Sequence, residues 1–307
     1  MSHPPALEVS VTISTFRRPE GLRRLLEALG KLDASSPRFE VIVVDNDAGE
    51  SARSIVGSAP GRAFELRYLV EPVQSIARAR SRGVREATGS FVAFIDDDEW
   101  PDPRWLVEMW RVAQETEADG VIGPVRSVLP ATAPRWLAEG GVFQRPILET
   151  GKPLVWWQTT TANALVRRAS LLALPMLFDD AFGLTGGSDS ELFHRMLARG
   201  ARLVGSGEGV VHEAVEPSRA NAVWLLKRHF RNGMISARLS GRRHAALRTL
   251  RHAAEALLSL RAGRVARFRH LLASTHALGE VAQAAGLRYE PYRVPKGPVT
   301  QGAARDV

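Results

Sequence analysis

"EVSVTISTFRRPEGLRRLLEALGKLDASSPRFEVIVVD", residues 8–45, sets two apolar runs, EVSVTIS (8–14) and FEVIVVD (39–45), on either side of EGLRRLLEALGKL (20–32). Val and Ile suit extended backbone because branching at Cβ restricts χ1 and packs well on a pleated surface. The intervening segment brings leucine back at helical intervals, at Leu22, Leu25, Leu26 and Leu29, which predicts an amphipathic helix. Strand, helix, strand is a βαβ unit. The alternation continues through FELRYLV (64–70), the helical SIARARSRGVREA (75–87), FVAFI (91–95), a helix over PRWLVEMWRVAQET (103–116) and a strand over GVIGPV (120–125). The expected fold class is α/β, a doubly wound, mostly parallel sheet flanked by helices, with ligands at the carboxyl ends of its strands.

Asp45 and the run Asp96, Asp97, Asp98 stand at two such ends. The three aspartates repel one another and Glu99 adds a fourth acid, so a cation is expected to share them. Hard divalent ions such as Mg²⁺ or Mn²⁺ take carboxylate oxygens and share them with substrate phosphates. A solvated strand end with an aspartate capping the next helix is the plainer alternative. The chain carries neither a G-x-G-x-x-G turn after its first strand nor a Walker sequence, so a nucleotide diphosphate needs another source of positive charge.

The 307 residues, 45% of them hydrophobic, support a sizeable core. Cysteine is absent, which removes disulfides and thiolate chemistry and leaves oxygen and histidine as metal donors. MSHPPALEVS lacks a basic start followed by an apolar core, and no run reaches the roughly 18 apolar residues of a spanning helix, so neither export nor membrane spanning is expected. The net charge of +8 is uneven: thirteen Lys or Arg face the single acid Glu255 between Arg219 and His270. The charge divides the chain at 218/219, with residues 219–307 expected as a basic helical extension ending in a loose tail. Its cations interleave with Leu and Ala, which suits an anionic membrane surface better than nucleic acid; a solvated face packed on the catalytic domain is the alternative.

After Pro124 a Pro- and Trp-rich stretch, with 126–165 as its core, reads as loops framing a cleft. LTGGSDSELFHRML (184–197) enters a helix through two glycines. Ser188 and Glu191 form a capping-box pattern, and Asp189 is either a first-turn acid or a general base brought to the cleft. His212 in GEGVVHEAV is either a packed histidine or a donor completing a carboxylate-rich metal site. Of Arg78, Arg80 and Arg82, spacing lets one or two at most reach a phosphate.

These pieces resemble the inverting, nucleotide-sugar-dependent family 2 glycosyltransferases of GT-A fold. The matching segments are VSVTISTFRRPEGLRRLLEAL, VIVVDNDAGESAR, SIARARSRGVREATGSFVAFIDDDEWPDPRWL, TANALVRR, GGSDSELFHR and VVHEAVEPSRANAVWLLKRHFRNG, covering most of residues 8–233 in the family's order. The DNDA, APRW, NAL-RR and VHE signatures are similar to those of succinoglycan-type exopolysaccharide glucosyltransferases. The resemblance implies that Thr15, Arg17 and Asp45 hold the base and ribose, that Arg78 and Asp97 belong to the nucleotide site, and that Asp96 to Asp98 form the DxD motif. Within it Asp96 lies towards the nucleotide, and Asp98 is the principal metal ligand, with Asp96 and His212 completing the site. Asp189 corresponds to the catalytic base. Relatives usually show Gly-Gly-Glu-Asp where this chain has Gly-Gly-Ser-Asp, with Ser188 at the glutamate.

The implied cofactor is Mg²⁺ or Mn²⁺, the implied donor a nucleotide-sugar, UDP-linked first, and the implied acceptor a saccharide or polyprenyl-diphosphate-linked glycan. The implied place is the cytoplasm, peripheral on the inner face of the plasma membrane. Two other readings share parts of the pattern: a sugar-phosphate nucleotidyltransferase, and a non-catalytic module that binds membrane or nucleic acid.

Overall fold

The computed structural model describes residues 7–59, 64–240, 251 and 263–290. The terminal tail from Pro291 and the middle of the basic segment, 241–250 and 252–262, lie outside the described residues. The strands are β1 (Val9–Thr15), β2 (Phe39–Asp45), β3 (Glu65–Val70), β4 (Phe91–Ile95), β5 (Glu99–Pro101), β6 (Gly120–Ile122), β7 (Val125–Val128), β8 (Asn163–Arg167), β9 (Leu203–Gly205) and β10 (Val211–Ala214). The helices are α1 (Pro19–Leu29), α2 (Arg53–Ser58), α3 (Ile76–Glu86), α4 (Trp105–Thr116), α5 (Arg135–Glu139), α6 (Arg168–Leu172), α7 (Ser188–Ala198), α8 (Ala222–Ser240) and α9 (Arg264–Ala284).

Seven strands form the main sheet in the order β3-β2-β1-β4-β8-β6-β9. β1 pairs in parallel with β2 and β4, and β2 with β3, as the repeated βαβ pattern requires. Successive strand residues point to opposite faces. Val9, Val11, Ile13, Val41, Val43, Phe91, Ala93 and Ile95 thus pack on α1, α2 and α4, whereas Ile42, Val44, Val92 and Phe94 pack on α3 and α7. This gives helix, sheet and helix layers, with the strand ends carrying Asp45 and Asp96 along one edge.

Two features depart from the expected strands. GVIGPV divides after Ile122: β6 stays in the main sheet, while β7 joins β10 and β5 in a small second sheet. At the break, a Cβ on Gly123 would lie 2.4 Å from Asn163 Nδ2, and Pro124 has no N–H to give to a ladder. The NALVR segment, read as cleft-framing loop, is β8, antiparallel to both neighbours. Its first residue, buried Asn163, accepts from Trp105 Nε1 at 2.8 Å and donates through Nδ2 to the carbonyls of Pro124 (2.9 Å) and Gly209 (2.7 Å). One amide therefore joins the start of α4, the sheet division and the approach to β10.

The basic extension is helical where it is described. α8 and α9 cross at two glycines: a Cβ on Gly233 would lie 1.9 Å from the His276 carbonyl oxygen, and one on Gly279 would lie 1.9 Å from that of Phe230. Leu225 of α8 and Phe268 and Leu272 of α9 share a third core with Leu137 of α5, Phe143 and Val215. Gly233→Ala forces the helix backbones apart and is expected to cost at least the 1–3 kcal/mol typical of overpacking. Thermal denaturation of the two proteins measures this, and Ser240→Ala, on the same helix, serves as control.

Candidate active site

β4 is apolar and buried along its whole length, and its chain emerges as Asp96-Asp97-Asp98 before turning into β5. Asp97 points inward and is buried; Thr15 Oγ1, at the end of the neighbouring β1, donates to its Oδ2 at 2.8 Å. Arg18, just before α1, approaches Asp97 Oδ1 (3.1 Å) and Asp98 Oδ2 (2.7 Å) with one nitrogen. Arg219 reaches the same Asp98 oxygen at 3.4 Å, and Arg80 from α3 donates to Asp96 Oδ1 at 2.8 Å. Glu99 is buried and accepts from the Asp96 N–H at 2.8 Å.

Burial, the largest cause, pushes the Asp97 carboxyl up to about 6 against the pull of Arg18. Burial and then repulsion from Asp96 raise Asp98, and Glu99 is driven well above the carboxylate range by burial, Asp96 and Glu213. The arginines leave this cluster still crowded with negative charge. Among the described residues, no three Asp, Glu, His or Cys side chains form a ready metal cage. The oxygen donors fit a hard cation of the kind that uses one or two carboxylates and completes its shell with phosphate and water.

The predicted residues fall into distinct groups. Thr15, Asp96, Asp97 and Asp98 come together as one cluster. Arg17 adopts a left-handed φ of 54° and makes a bidentate pair with Asp47 (3.0 and 3.2 Å), at the loop after β2. Asp45 is fully buried with both oxygens taken: Oδ2 accepts from Ala52 N–H (2.7 Å) and the Tyr68 hydroxyl (2.9 Å), and Oδ1 from Asp47 N–H (3.1 Å). It organises the loop that presents Asp47. Asn46 holds the next loop, donating to the Glu71 and Val73 carbonyls and accepting from Ser75 N–H. Arg78 pairs with Asp180 at 2.8 Å, and Arg80 is the member of the Arg78, Arg80, Arg82 set that meets the acidic cluster.

His212 does not meet Asp96 or Asp98. Its Nε2 lies 2.8 Å from Asp102 Oδ1 and its ring stacks on Trp100. Because neighbours in a strand face opposite ways, it is Glu213 that repels Asp98 and Glu99. Glu213 Oε2 lies 3.3 Å from Arg145 Nη2, Arg145 Nη1 is 3.5 Å from Thr160 Oγ1, and Thr160 Oγ1 donates to Asp189 Oδ2 at 3.4 Å. Asp189 is thus linked by long polar contacts through Thr160 and Arg145, two residues of the 126–165 stretch that sequence reading left unassigned, to Glu213, whose charge acts on Asp98 and Glu99.

Asp189 stands in the first turn of α7, delivered by Gly186 and Gly187 at φ of 79° and 91°. Only glycine takes such angles cheaply, and a Cβ on Gly187 would also lie 2.8 Å from Ile235 of α8. The capping box is not formed: Gly187 is the cap residue, the Ser188 hydroxyl is buried with no hydrogen-bond partner, and Glu191 pairs with Arg195.

The hydrogen bonding of Asp45 has a measurable signature. Asp45→Asn turns an acceptor into a donor among buried N–H and O–H groups and is expected to cost about 1–3 kcal/mol of stability. Melting temperature and nucleotide affinity should fall together. A ribose ligand would instead lose affinity at unchanged melting temperature.

Residues 10–173 match the family described as Glycosyl transferase family 2. The chain is 37% identical over 245 residues to the succinoglycan biosynthesis protein ExoM of Rhizobium meliloti (strain 1021), covering 79% of this chain and 78% of that protein. Among solved structures it resembles S. aureus TarS 1–349 in complex with UDP-GlcNAc, with a TM-score of 0.58 and 16% identity over 92% of this chain and 93% of that one. It also resembles the mannosyltransferase PcManGT from Pyrobaculum calidifontis in complex with GDP-Man and Mn²⁺, at TM-score 0.54 and 21% identity over 93% and 77%. These two likenesses concern the fold, and they agree with the mostly parallel, helix-flanked GT-A sheet. By the family match and by its likeness to ExoM, the chain belongs to glycosyltransferase family 2.

Proposed function

We propose that this glycosyltransferase moves a hexosyl group from a UDP-sugar to a saccharide hydroxyl with inversion, using Asp189 as base and Asp98 and Asp96 as ligands of Mg²⁺ or Mn²⁺. The observation that supports the reading is the run of long polar contacts from Asp189 through Thr160 and Arg145 to Glu213, whose charge acts on Asp98 and Glu99. On this reading a base at Asp189 serves the same site as the phosphate-side cluster. The bound cation would supply Lewis-acid neutralisation of the departing diphosphate. Asp189 accepts the proton of the acceptor hydroxyl as its oxygen bonds to the anomeric carbon and the bond to the diphosphate breaks. Thr160 orients the receiving carboxylate, and the buried Thr15–Asp97 contact keeps the β4 end rigid. UDP and Mn²⁺ are favoured because TarS is described with UDP-GlcNAc and PcManGT with Mn²⁺. A role in polysaccharide synthesis is favoured by the name of ExoM.

The place of action is the cytoplasmic face of the membrane, on an acceptor linked to polyprenyl diphosphate. No helix among the described residues is long and apolar enough to cross a membrane. The region from Arg219 instead brings its thirteen cations, and α9 exposes Leu271, Leu278 and Val281. Each cation near an anionic leaflet is worth on the order of 1 kcal/mol within about a Debye length.

Asp189→Asn is expected to keep UDP affinity in the presence of Mn²⁺ while lowering turnover roughly 10²- to 10⁴-fold. Calorimetry and a transfer assay over UDP-, GDP- and dTDP-sugars measure the two quantities. Near-normal turnover would return Asp189 to a helix-start residue. The full chain should co-sediment with anionic vesicles at low salt, detach as salt rises, and ignore neutral vesicles; equal, negligible binding to both would remove the membrane part of the proposal.

A further inference from the structure

Arg18 and Arg219 have no part in the reading above, yet they hold the oxygen that it needs. Asp98 Oδ2 lies 2.7 Å from Arg18 Nη1 and 3.4 Å from Arg219 Nη1, and the same Arg18 nitrogen is 3.1 Å from Asp97 Oδ1. Behind them stands Glu216, with Oε1 3.5 Å from Arg18 Nη2 and Oε2 3.7 Å from Arg219 Nε. Both guanidiniums remain about a third exposed, at 31% and 27%, whereas the Asp97 and Asp98 side chains are nearly enclosed at 7% and 15%. The carboxylates are fixed, and the cations sit on flexible stems at the open side.

Two buried carboxylates at adjacent positions need counter-charge whether or not substrate is bound, because an uncompensated buried charge is costly. In the free protein these arginines provide it. A nucleotide-sugar with its cation brings the reverse problem: the carboxylates gain a cation, but they share it with two diphosphate charges, and carboxylates and phosphates together exceed what one divalent ion neutralises. Guanidinium suits phosphate oxygens as well as it suits carboxylates, since its planar donors match both. Glu216 gives each arginine a second anchor that does not depend on Asp97 or Asp98.

We propose that Arg18 and Arg219 exchange partners during turnover. They neutralise Asp97 and Asp98 in the nucleotide-free enzyme, then release those carboxylates and bind the donor's diphosphate while Glu216 keeps them in reach. The proposal rests on the cation reading of Asp98. It makes cation and nucleotide binding mutually reinforcing, because the nucleotide offers the arginines a new partner when the carboxylates turn to the cation. Such coupling is reciprocal.

Removing the guanidiniums should therefore move two affinities in opposite directions. Arg18→Met and Arg219→Met keep most of the apolar stem and lose the charge. Mn²⁺ binding without nucleotide, followed by the loss of the free-ion paramagnetic resonance signal, is expected to tighten at least tenfold in each variant. UDP binding in saturating Mn²⁺, followed by calorimetry, is expected to weaken at least tenfold. Mn²⁺ should also raise the melting temperature of the variants more than that of the wild type. Arg219 makes the longer contact, so Arg219→Met carries the test if Arg18→Met does not fold. A purely structural role would weaken both affinities together or leave Mn²⁺ binding unchanged, and either result overturns the exchange while UDP-dependent Mn²⁺ binding by the wild type leaves the cation reading standing. Absence of Mn²⁺ binding by wild type and variants, with and without UDP, overturns both.

Discussion

The organising constraint is the crowding of carboxylates where β4 leaves the sheet. Asp97 is buried among backbone and side chains, and its neighbours Asp96, Asp98 and Glu99 cannot disperse because the strand and the turn into β5 fix them. The chain answers with arginines from four separate places: Arg18 before α1, Arg80 on α3, Arg145 after α5 and Arg219 before α8. Ion pairs this enclosed recover little net stability, because desolvation offsets the attraction. Their effect is positional: each pair ties a distant segment to one point, so the loops that border the cleft share a common electrostatic centre.

Much of this was legible because the signals were local. The leucines of α1 return at the helical repeat, the β-branched apolar runs mark the strands, and the acids stand as one block behind such a run; together they yielded the parallel sheet and its loaded edge. What escaped depends on register or on long-range partners. Arg17 and Arg18 are adjacent and chemically identical, and only the left-handed turn at Arg17 sends one to Asp47 and the other to the β4 acids. In His212-Glu213 the alternation of a strand decides which side chain meets Asp98, and that phase comes from pairing with β5 and β7. That Arg80 meets Asp96 while Arg78 meets Asp180 is the same problem on a helix, a difference of two residues and about 200° of rotation.

β8 was missed for a related reason. NALVR follows a stretch of prolines and tryptophans, and its neighbouring helix, α6, is only five residues long, so little nearby marks it as a strand. It is antiparallel inside a largely parallel sheet and is seated by Asn163, whose three partners are 39 to 58 residues away in sequence. Asp45 shows the converse. Its place at a strand end was legible, but not the two hydroxyls and two backbone N–H groups that bond to it.

The seat of Gly187 against Ile235 bears on modularity. Charge changes abruptly at Arg219, which invites a cut there, yet the packing does not change with it. α8 supplies the surface on which the glycine bend before Asp189 rests, and the third core mixes Leu137 and Phe143 with Leu225 and Phe268. A swap that exchanged this helical region for that of a relative would therefore replace part of the mould that shapes the bend before Asp189. Position 235 and its glycine partner have to be inherited as a pair.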